Sequence, residues 1–492
     1  MRETLRILLA LLLCELLVFL PVSGDAQQLK KRATPERPPV TNCTDLPCYI
    51  HLPYLTLFQV APELEFSQNQ IETERKALEQ AKTYCVAQFK QRAKTYGDEV
   101  NGSEKQLKKV SDTVGDTERH NMHCDIQSAR ARQKEAEVLQ QHAIPNAYAN
   151  EEAKLKLIQE WPGDLKQIKQ QIADGSYLKR QWGNVKDIGF REIAAGQEKD
   201  IKAGQDAIKE MKLNGMMPHE MDDKAITDYV NSVAQRVAQH SDLHIPLNVT
   251  VLDSKEINAF ALPGGYLFVE RGLLDEADDE SELAGVIGHE IGHDTARHSH
   301  QMMTRATVAG IFYDAAQIAA IVLTGGVASI GMLYAIQYGF YGLGLVLDLK
   351  LLGVSREFEL QADQLGIQYT WNSGYDPSGF IRFFDKMATK EGYVNGVSWF
   401  RTHPPFYERM VNAEREILFL PKKTDAVVQT SEFEQMKKEL AALEKKNTDN
   451  GTYKPSLEMP EAGCPTPTKI EYKPGEPIEA ICAQPARAAA VN

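Results

Sequence analysis

The chain has 492 residues, of which 43% are hydrophobic and 25% are charged, and its formal net charge is −13. This length predicts more than one domain, each with a hydrophobic core of its own. The acidic balance, without a long basic block, argues against a nucleic acid as the main partner, because such binding needs clustered Lys and Arg.

The first residues have the pattern of an export signal. Arg2 and Arg6 precede an apolar run over 7–22, and small residues follow that run. A retained membrane anchor is the alternative, but the apolar run is short and interrupted. We therefore predict a cleaved signal peptide over 1–26 and an exported protein.

Six cysteines remain after this signal, an even number that predicts disulfides in an exported chain. Six cysteines allow fifteen pairings. Proximity in sequence favours Cys43–Cys48, Cys85–Cys124 and Cys464–Cys482. Each pair would then stabilise one terminal region of the chain.

Residues 27–188 predict a helical accessory domain that carries disulfides. Apolar residues recur every seven positions from Leu64, which predicts a helix to about Lys94. The glycine-containing segment 97–103 predicts a turn. Further helices are expected to about His142 and over 150–173, so the first two helices would form a hairpin.

Residues 189–425 change in character and predict a catalytic domain. Helical spacing marks 225–239, and alternation marks a strand over 247–252. A Pro-Gly-Gly turn then precedes a predicted strand over 266–269. The remaining residues, 426–492, predict a charged helix and a tail closed by a disulfide.

The segment 315–347 contains no formally charged side chain and is interrupted by several glycines. Three interpretations remain open: a helical pair packed over the active site, an element that dips into a membrane, or a true membrane span. We favour the first, because a span would separate the motif helix from residues that it needs. A peripheral membrane contact through this segment stays open.

The sequence His289-Glu290-Ile291-Gly292-His293 is an H-E-x-x-H motif. Two histidines four positions apart share one helix face, so both imidazoles can bind one metal ion. Glu290 is placed to take the proton of the attacking water. The acidic residues that precede the motif are typical of a helix N-terminus, which predicts a helix to about Ser299.

A catalytic zinc site needs three protein ligands and one open position. Glu359 and Asp363 are four residues apart on a predicted helix, so Glu359 can be the third ligand while Asp363 accepts the N–H of a ligand histidine. His298 does not fit the spacing of a metzincin ligand, so we interpret it as a histidine at the helix terminus.

Three motifs together resemble one family of zinc metallopeptidases. They are Asn258-Ala-Phe-Ala-Leu-Pro-Gly-Gly-Tyr, the H-E-x-x-H motif, and Ser355-Arg-x-x-Glu-x-x-Ala-Asp363. The family includes the CAAX prenyl endopeptidases, the HtpX heat-shock protease and the periplasmic β-barrel assembly-enhancing protease. The resemblance covers roughly 189–420.

This resemblance implies a gluzincin-like catalytic domain with a small edge-strand sheet. Together with the predicted helical N-terminal region, it leads us to expect an α+β, mostly helical protein. It implies one Zn²⁺ per chain, bound by His289, His293 and Glu359, with Glu290 as the general base and Asp363 behind the ligands. It also implies a substrate strand that pairs with extended polypeptide: Asn258, Gly264, Gly265, Tyr266, Leu267, Phe268 and Val269.

His403-Pro404 and Arg409 resemble a late segment of the same family. The resemblance implies that His403 is a fourth zinc ligand or an oxyanion donor. A histidine packed in a loop is an equal alternative. Arg409 either polarises a substrate carbonyl or anchors a carboxylate.

We therefore expect an exported, periplasmic zinc endopeptidase that acts on extended or unfolded envelope proteins. The alternative is a non-proteolytic chaperone or binding protein whose zinc site is closed. The chain lacks the several membrane spans of some relatives and the terminal repeats of others, so their biological roles do not transfer directly. The oligomeric state is not predicted.

Overall fold

The computed structural model describes residues 30–31, 42–109, 115–213, 217–255, 257–303, 356–391, 407–449, 464 and 482. The predicted signal peptide, the apolar segment 315–347 and His403 lie outside these residues. The described residues are mostly helical with a small mixed sheet, which confirms this part of the predicted fold class.

The N-terminal part consists of helices that pack on one another. They are α1 (Leu46–Tyr49), α2 (Tyr54–Val60), α3 (Gln68–Lys109), α4 (Asp116–Val138) and α5 (Ile144–Asp174), with a short π-helical turn over Leu139–Ala143 between the last two. Because Ile71, Leu78 and Cys85 recur every seven residues, α3 buries them on one face.

The turn predicted over 97–103 is wrong, because α3 continues through it to Lys109. Gly97 and Gly102 each cost about 1 kcal/mol in a helix relative to alanine. The pairing of α3 with α4 offsets this cost: Val100 is buried between them, and a Cβ on Gly97 would lie 3.2 Å from the Gln133 side chain.

The C-terminal part contains the predicted catalytic elements. Its helices are α6 (Gln197–Leu213), α7 (Lys224–Ala238), α8 (Arg271–Glu276), α9 (Glu280–Thr295), α10 (His298–Met303), α11 (Arg356–Asn372), α12 (Ser378–Glu391), α13 (Tyr407–Phe419) and α14 (Ser431–Asp449). Its strands are β2 (Asn248–Leu252), β3 (Ala259–Leu262), β4 (Tyr266–Glu270) and β5 (Val427–Gln429), and the N-terminal strand β1 (Lys30–Lys31) pairs with β5.

The larger sheet has the strand order β2-β4-β3, with β2 parallel and β3 antiparallel to β4. The predicted strand over 266–269 is therefore present. The prediction that it is an edge strand is wrong, since β4 is paired on both sides. The two neighbours of β4 use its N–H and C=O groups, so no substrate can pair with it.

The N-terminal helices pack directly against the catalytic part. α5 contacts α13, and α2 contacts α12. Lys154 is buried, and its Nζ lies 3.0 Å from Asp385 Oδ1 and 2.8 Å from the Leu52 carbonyl oxygen. Asp385 also accepts a hydrogen bond from the Tyr54 backbone N–H at 2.9 Å. The two parts share one hydrophobic core, and the predicted domain boundaries stay predictions.

Two of the three described disulfides connect distant parts of the chain. Cys43–Cys48 is confirmed, but Cys85 pairs with Cys482 and Cys124 pairs with Cys464. The predicted Cys85–Cys124 and Cys464–Cys482 pairs are wrong, and the C-terminal tail is bound to the α3–α4 hairpin instead of closed on itself.

The geometry of the hairpin explains this result. Cys85 lies about 16 residues further from the α3–α4 connection than Cys124 does, which is roughly 24 Å along a helix at 1.5 Å per residue. A disulfide needs Cα atoms within about 7 Å of each other, so Cys85 and Cys124 are too far apart along the hairpin to pair.

Among the described helices, none combines the length and the apolar character that crossing a membrane requires.

Candidate metal centre

Helix α9 carries the H-E-x-x-H motif through the middle of the protein. Its N-cap, Asp279, accepts a hydrogen bond from the Glu282 backbone N–H at 3.0 Å, and Glu280 and Glu282 lie in the first turn. All of its residues are buried, because helices and β3 surround it. The predicted helix is confirmed, although it ends at Thr295 instead of Ser299.

Small residues let α11 approach α9 closely. A Cβ on Gly288 would lie 2.8 Å from the Gly366 carbonyl oxygen, and one on Gly292 would lie 2.9 Å from the Ala362 carbonyl oxygen. A Cβ on Gly366 would in turn lie 2.6 Å from the His289 backbone nitrogen. This close contact brings the carboxylates of α11 within reach of the histidines of α9.

His289, His293 and Glu359 converge on one point. The two Nε2 atoms are 3.0 Å apart. Glu359 Oε2 lies 3.7 Å from His289 Nε2, and Glu359 Oε1 lies 3.4 Å from His293 Nε2. All three residues are buried, and their ligand atoms lie within 4.8 Å of one another.

Asp363 and Arg409 lie behind these groups. Asp363 Oδ1 is 2.9 Å from His289 Nδ1, so the negative carboxylate favours a proton on that nitrogen and leaves the Nε2 lone pair for a metal. Arg409 Nε and Nη2 donate to Asp363 at 2.7 and 2.6 Å, and Nη1 lies 3.0 Å from Glu359 Oε2. The guanidinium is fully buried, so the structure favours the carboxylate anchor over the oxyanion donor for Arg409.

The charge of Arg409 is held firmly. Burial acts to lower the pKa of its guanidinium, but the charges of Asp363, Glu359 and Glu290 act against burial and raise that pKa above the ordinary value. Arg409 also lies over the Phe384 ring, 4.3 Å from its centroid. We therefore treat Arg409 as a permanent cation that orients two of the predicted site residues.

Sequence reasoning missed the role of His298. Its side chain is buried, with Nδ1 2.9 Å from His293 Nδ1 and Nε2 3.1 Å from Gln361 Oε1. Burial lowers the pKa of His298 to about 4, although Gln361 and Glu359 act in the opposite direction. The ring also stacks on Phe358, with centroids 4.3 Å apart. The five-residue spacing from His293 was the available signal.

The Pro-Gly-Gly turn serves α9 instead of a substrate. Gly264 and Gly265 have φ values of 92° and 80°, which favour glycine. Their backbone N–H groups donate to Asp294, next to His293, while burial raises the pKa of Asp294 to about 7. A Cβ on Gly264 would lie 2.4 Å from Ile201 Cα, so α6 packs directly on this turn.

Asn258 connects the strands that follow it. It is buried, its Nδ2 lies 3.4 Å from Glu270 Oε1, and its carbonyl oxygen accepts from the Glu270 N–H at 2.9 Å. Because 258 and 270 form a hydrogen-bonded pair, Phe260 and Leu262 also face β4 with their backbone groups.

The backbone N–H and C=O groups of Ala259 and Ala261 therefore point to the outer side of β3, away from β4. The carbonyl oxygen of Ala261 accepts a hydrogen bond from Ser299 Oγ at 3.2 Å, and Ser299 belongs to α10. In the part of the chain that the structure describes, no strand pairs with this edge. Among the described residues, the strand that packs against α9 therefore has one side that pairs with no other strand.

The donor set fits a divalent cation. Three buried carboxylates, Glu290, Glu359 and Asp363, share one buried guanidinium, so the formal charges leave an excess of two negatives. Two imidazole nitrogens and one carboxylate are typical ligands of a catalytic zinc site. A dication would balance the charge and take the converging lone pairs.

The structure brings together six of the predicted residues: His289, Glu290, His293, Glu359, Asp363 and Arg409. Glu290 is buried, and its charge acts on Arg409. A pair of histidines, a carboxylate ligand and an adjacent glutamate define the class of metal-dependent peptidases.

Comparison with known proteins narrows this class. Residues 224–417 match peptidase family M48. The resemblance predicted from the motifs is confirmed: the chain carries a peptidase family M48 domain.

Three relatives show the extent of the similarity. The chain is 28% identical over 246 residues to the beta-barrel assembly-enhancing protease of Escherichia coli strain K12, which covers 49% of this chain and 47% of that protein. It is 30% identical over 234 residues to the mitochondrial metalloendopeptidase OMA1 of Schizosaccharomyces pombe, covering 46% and 62%.

The metalloprotease YcaL of Escherichia coli strain K12 is 34% identical over 164 residues, covering 33% of this chain and 59% of that protein. The chain thus spans about half the length of the curated relatives that it matches. They support a metallopeptidase.

Proposed function

We propose that this chain is an exported zinc endopeptidase of the gluzincin type that cleaves extended or unfolded polypeptides. The observation that carries the proposal is the convergence of the ligand atoms of His289, His293 and Glu359 within 4.8 Å of one another, with Glu290 on the same helix as the two histidines. A structural zinc site has four protein ligands and needs no glutamate beside the first histidine.

His289 and His293 would hold one Zn²⁺ through Nε2, and Glu359 would hold it through its carboxylate. When bound, the ion supplies Lewis acidity to a water molecule and to the scissile carbonyl. Asp363 keeps the Nδ1 proton of His289 in place, and Arg409 fixes both carboxylates. The ligands are therefore oriented before substrate arrives.

Glu290 performs the proton transfers. As a carboxylate it takes a proton from the attacking water while the new C–O bond forms. It then gives that proton to the amide nitrogen as the C–N bond breaks, so the products are a carboxylic acid and an amine. The acid then passes its proton to the amine, which gives a carboxylate and an ammonium group. Proton transfer by a positioned group contributes about 10²- to 10⁴-fold to such a reaction.

The outer edge of β3 is the proposed substrate strand. Backbone groups of Ala259 and Ala261 face outward there, next to α9. An extended peptide would add to this edge through main-chain hydrogen bonds, a mode that depends more on backbone than on side chains. This mode suits unfolded polypeptides of varied sequence.

Envelope protein quality control is the biological role that we propose. The names of the bacterial relatives, which describe proteases that enhance β-barrel assembly, support this proposal. The disulfides support an oxidising compartment such as the periplasm. Residues 315–347 would contribute a cover over the site or a peripheral membrane contact.

The Glu290→Gln variant tests the mechanism. We expect it to bind Zn²⁺ like the wild type and to cleave casein at least about 10²-fold more slowly, because the amide cannot accept the proton. Zinc content and casein cleavage are both measured. Glu357→Gln is the matched control, since Glu357 is exposed two positions before the ligand Glu359.

Normal casein cleavage by Glu290→Gln would contradict the assigned role of Glu290. A wild-type protein that binds zinc and unfolded clients but never cleaves them would favour the chaperone alternative. Loss of cleavage in both Glu290→Gln and Glu357→Gln would mean that the loss does not depend on the catalytic role of Glu290.

A further inference from the structure

His298 contacts His293 on the side away from the predicted metal. Its Nδ1 lies 2.9 Å from Nδ1 of His293, which is the nitrogen that does not face His289 and Glu359. Its other nitrogen lies 3.1 Å from Gln361 Oε1. The proposed function does not use this contact.

The backbone is shaped to place His298 there. Arg297 has a φ of 55°, which residues other than glycine rarely adopt, and it lies between the end of α9 and the start of α10. Asp200 holds Arg297 through two hydrogen bonds of 2.5 and 2.6 Å, and the Ala195 carbonyl oxygen accepts a third at 2.7 Å. An unusual backbone conformation held so firmly points to a function of the residue that follows.

The directions of the hydrogen bonds follow from the chemistry of the groups. Gln361 Oε1 can only accept, so Nε2 of His298 carries a proton. A neutral imidazole has one donor and one acceptor, so Nδ1 of His298 is then the acceptor. The donor to it is Nδ1–H of His293, which leaves the Nε2 lone pair of His293 directed at Glu359 and His289.

We propose that His298 is a positioning residue that holds His293 in its metal-binding tautomer through the relay Gln361–His298–His293. This inference rests on the metal-binding role of His293 in the proposed function. His298 keeps a proton on Nδ1 of His293, as Asp363 does on Nδ1 of His289. The difference is that the acceptor is a neutral imidazole instead of a carboxylate. The site thus combines one charged and one uncharged partner for its two histidines.

Zinc affinity, measured by competition with a chelator, tests this proposal independently of peptidase activity. We expect His298→Phe, which can still stack on Phe358, to weaken zinc binding by about 10- to 100-fold. His298→Gln can still offer an oxygen to His293, so it should recover a substantial part of that loss. Thermal unfolding of both variants separates this effect from misfolding.

His300→Phe is the matched control on the same short helix. Its Nδ1 lies 2.8 Å from Asp200 Oδ1 and does not contact a ligand histidine, so zinc affinity should stay within about 2-fold of the wild type. Zinc binding by His298→Phe that equals the wild type would overturn the role of His298. A wild type that binds no zinc would overturn the proposed function itself.

Ring-nitrogen NMR of the wild-type protein gives a second test that needs no variant. The proposal predicts a protonated Nε2 and an unprotonated Nδ1 on His298, with a protonated Nδ1 on His293. A protonated Nδ1 on His298 would overturn the relay, even if both variants failed to fold.

Discussion

Arg409 illustrates how much one buried residue can organise. Its guanidinium donates to both oxygens of Asp363 and contacts Glu359, and it lies over the Phe384 ring. The sequence left two alternatives for this residue. Only the tertiary contacts distinguish between them, because the sequence does not say whether α13 packs against α11.

We expect Arg409→Leu to destabilise the metal-free protein by about 3 to 5 kcal/mol, because two buried carboxylates lose their cation. Added zinc should recover part of this loss, since the ion supplies positive charge beside Glu359. Urea unfolding with and without zinc measures both effects.

Arg415→Leu is the control for this change. Arg415 lies on the same helix, is partly exposed, and donates to Asn412 Oδ1 at 2.8 Å. A loss of stability in Arg409→Leu no larger than that in Arg415→Leu would contradict the anchoring role.

At the scale of elements, the contact between α9 and α11 determines the metal centre. Gly288, Gly292 and Gly366 lie where any side chain would meet the backbone or a side chain of the other helix. The sequence predicted both helices and their shared chemistry, but it did not predict that glycines set the distance between them. That distance depends on which helix faces which.

Gly366→Ala should therefore push the helices apart, because its Cβ would lie 2.6 Å from the His289 backbone nitrogen. We expect weaker zinc binding and lower stability, by about 1 to 3 kcal/mol for an overpacked core. Chelator competition and urea unfolding measure the two changes.

Gly163→Ala provides the comparison, since Gly163 lies inside α5 and a Cβ there would have no atom within 4 Å. That change should leave zinc affinity unaltered and stabilise the protein slightly, because alanine is the better helix former. Equal zinc affinity in the two variants would show that the close approach does not position Glu359.

The sheet shows the limit of predicting from local pattern. Alternation and the Pro-Gly-Gly turn predicted strands over 247–252 and 266–269, and the structure contains β2 and β4 close to those positions. The strand β3 was not predicted. The pattern does not contain the strand order. Because β2 pairs with one side of β4 and β3 with the other, the outer strand next to α9 in the described sheet is β3 instead of β4.

For the whole molecule, the disulfides connect the two ends of the chain. Cys85–Cys482 and Cys124–Cys464 are separated by 397 and 340 residues in sequence, whereas Cys43–Cys48 spans 5. A bridge that closes a long loop restricts the unfolded chain more than one that closes a short loop. The long bridges should therefore matter most for stability.

We expect the double variant Cys85→Ser with Cys482→Ser to lose about 2 to 5 kcal/mol of stability. Cys43→Ser with Cys48→Ser, the matched control, should lose less. Zinc affinity should remain in both, because the cysteines lie apart from His289, His293 and Glu359. Chemical unfolding and chelator competition provide the measurements.

Peptide mapping without reduction tests the pairing directly. It should recover one peptide pair that contains Cys85 and Cys482 and another that contains Cys124 and Cys464. A linked Cys85–Cys124 peptide would contradict the arrangement described here.

The sequence by itself determined the pattern of candidate metal-binding groups, because the spacing of His289 and His293 on one helix and of Glu359 and Asp363 on another places each pair on one helix face. It also determined most helices, since their periodicity is local. The tertiary structure decided the order of the strands in the sheet, the disulfide pairs, the carboxylates that Arg409 contacts, and the contact of His298 with His293. These features depend on contacts between elements far apart in the chain, and no local pattern encodes such contacts.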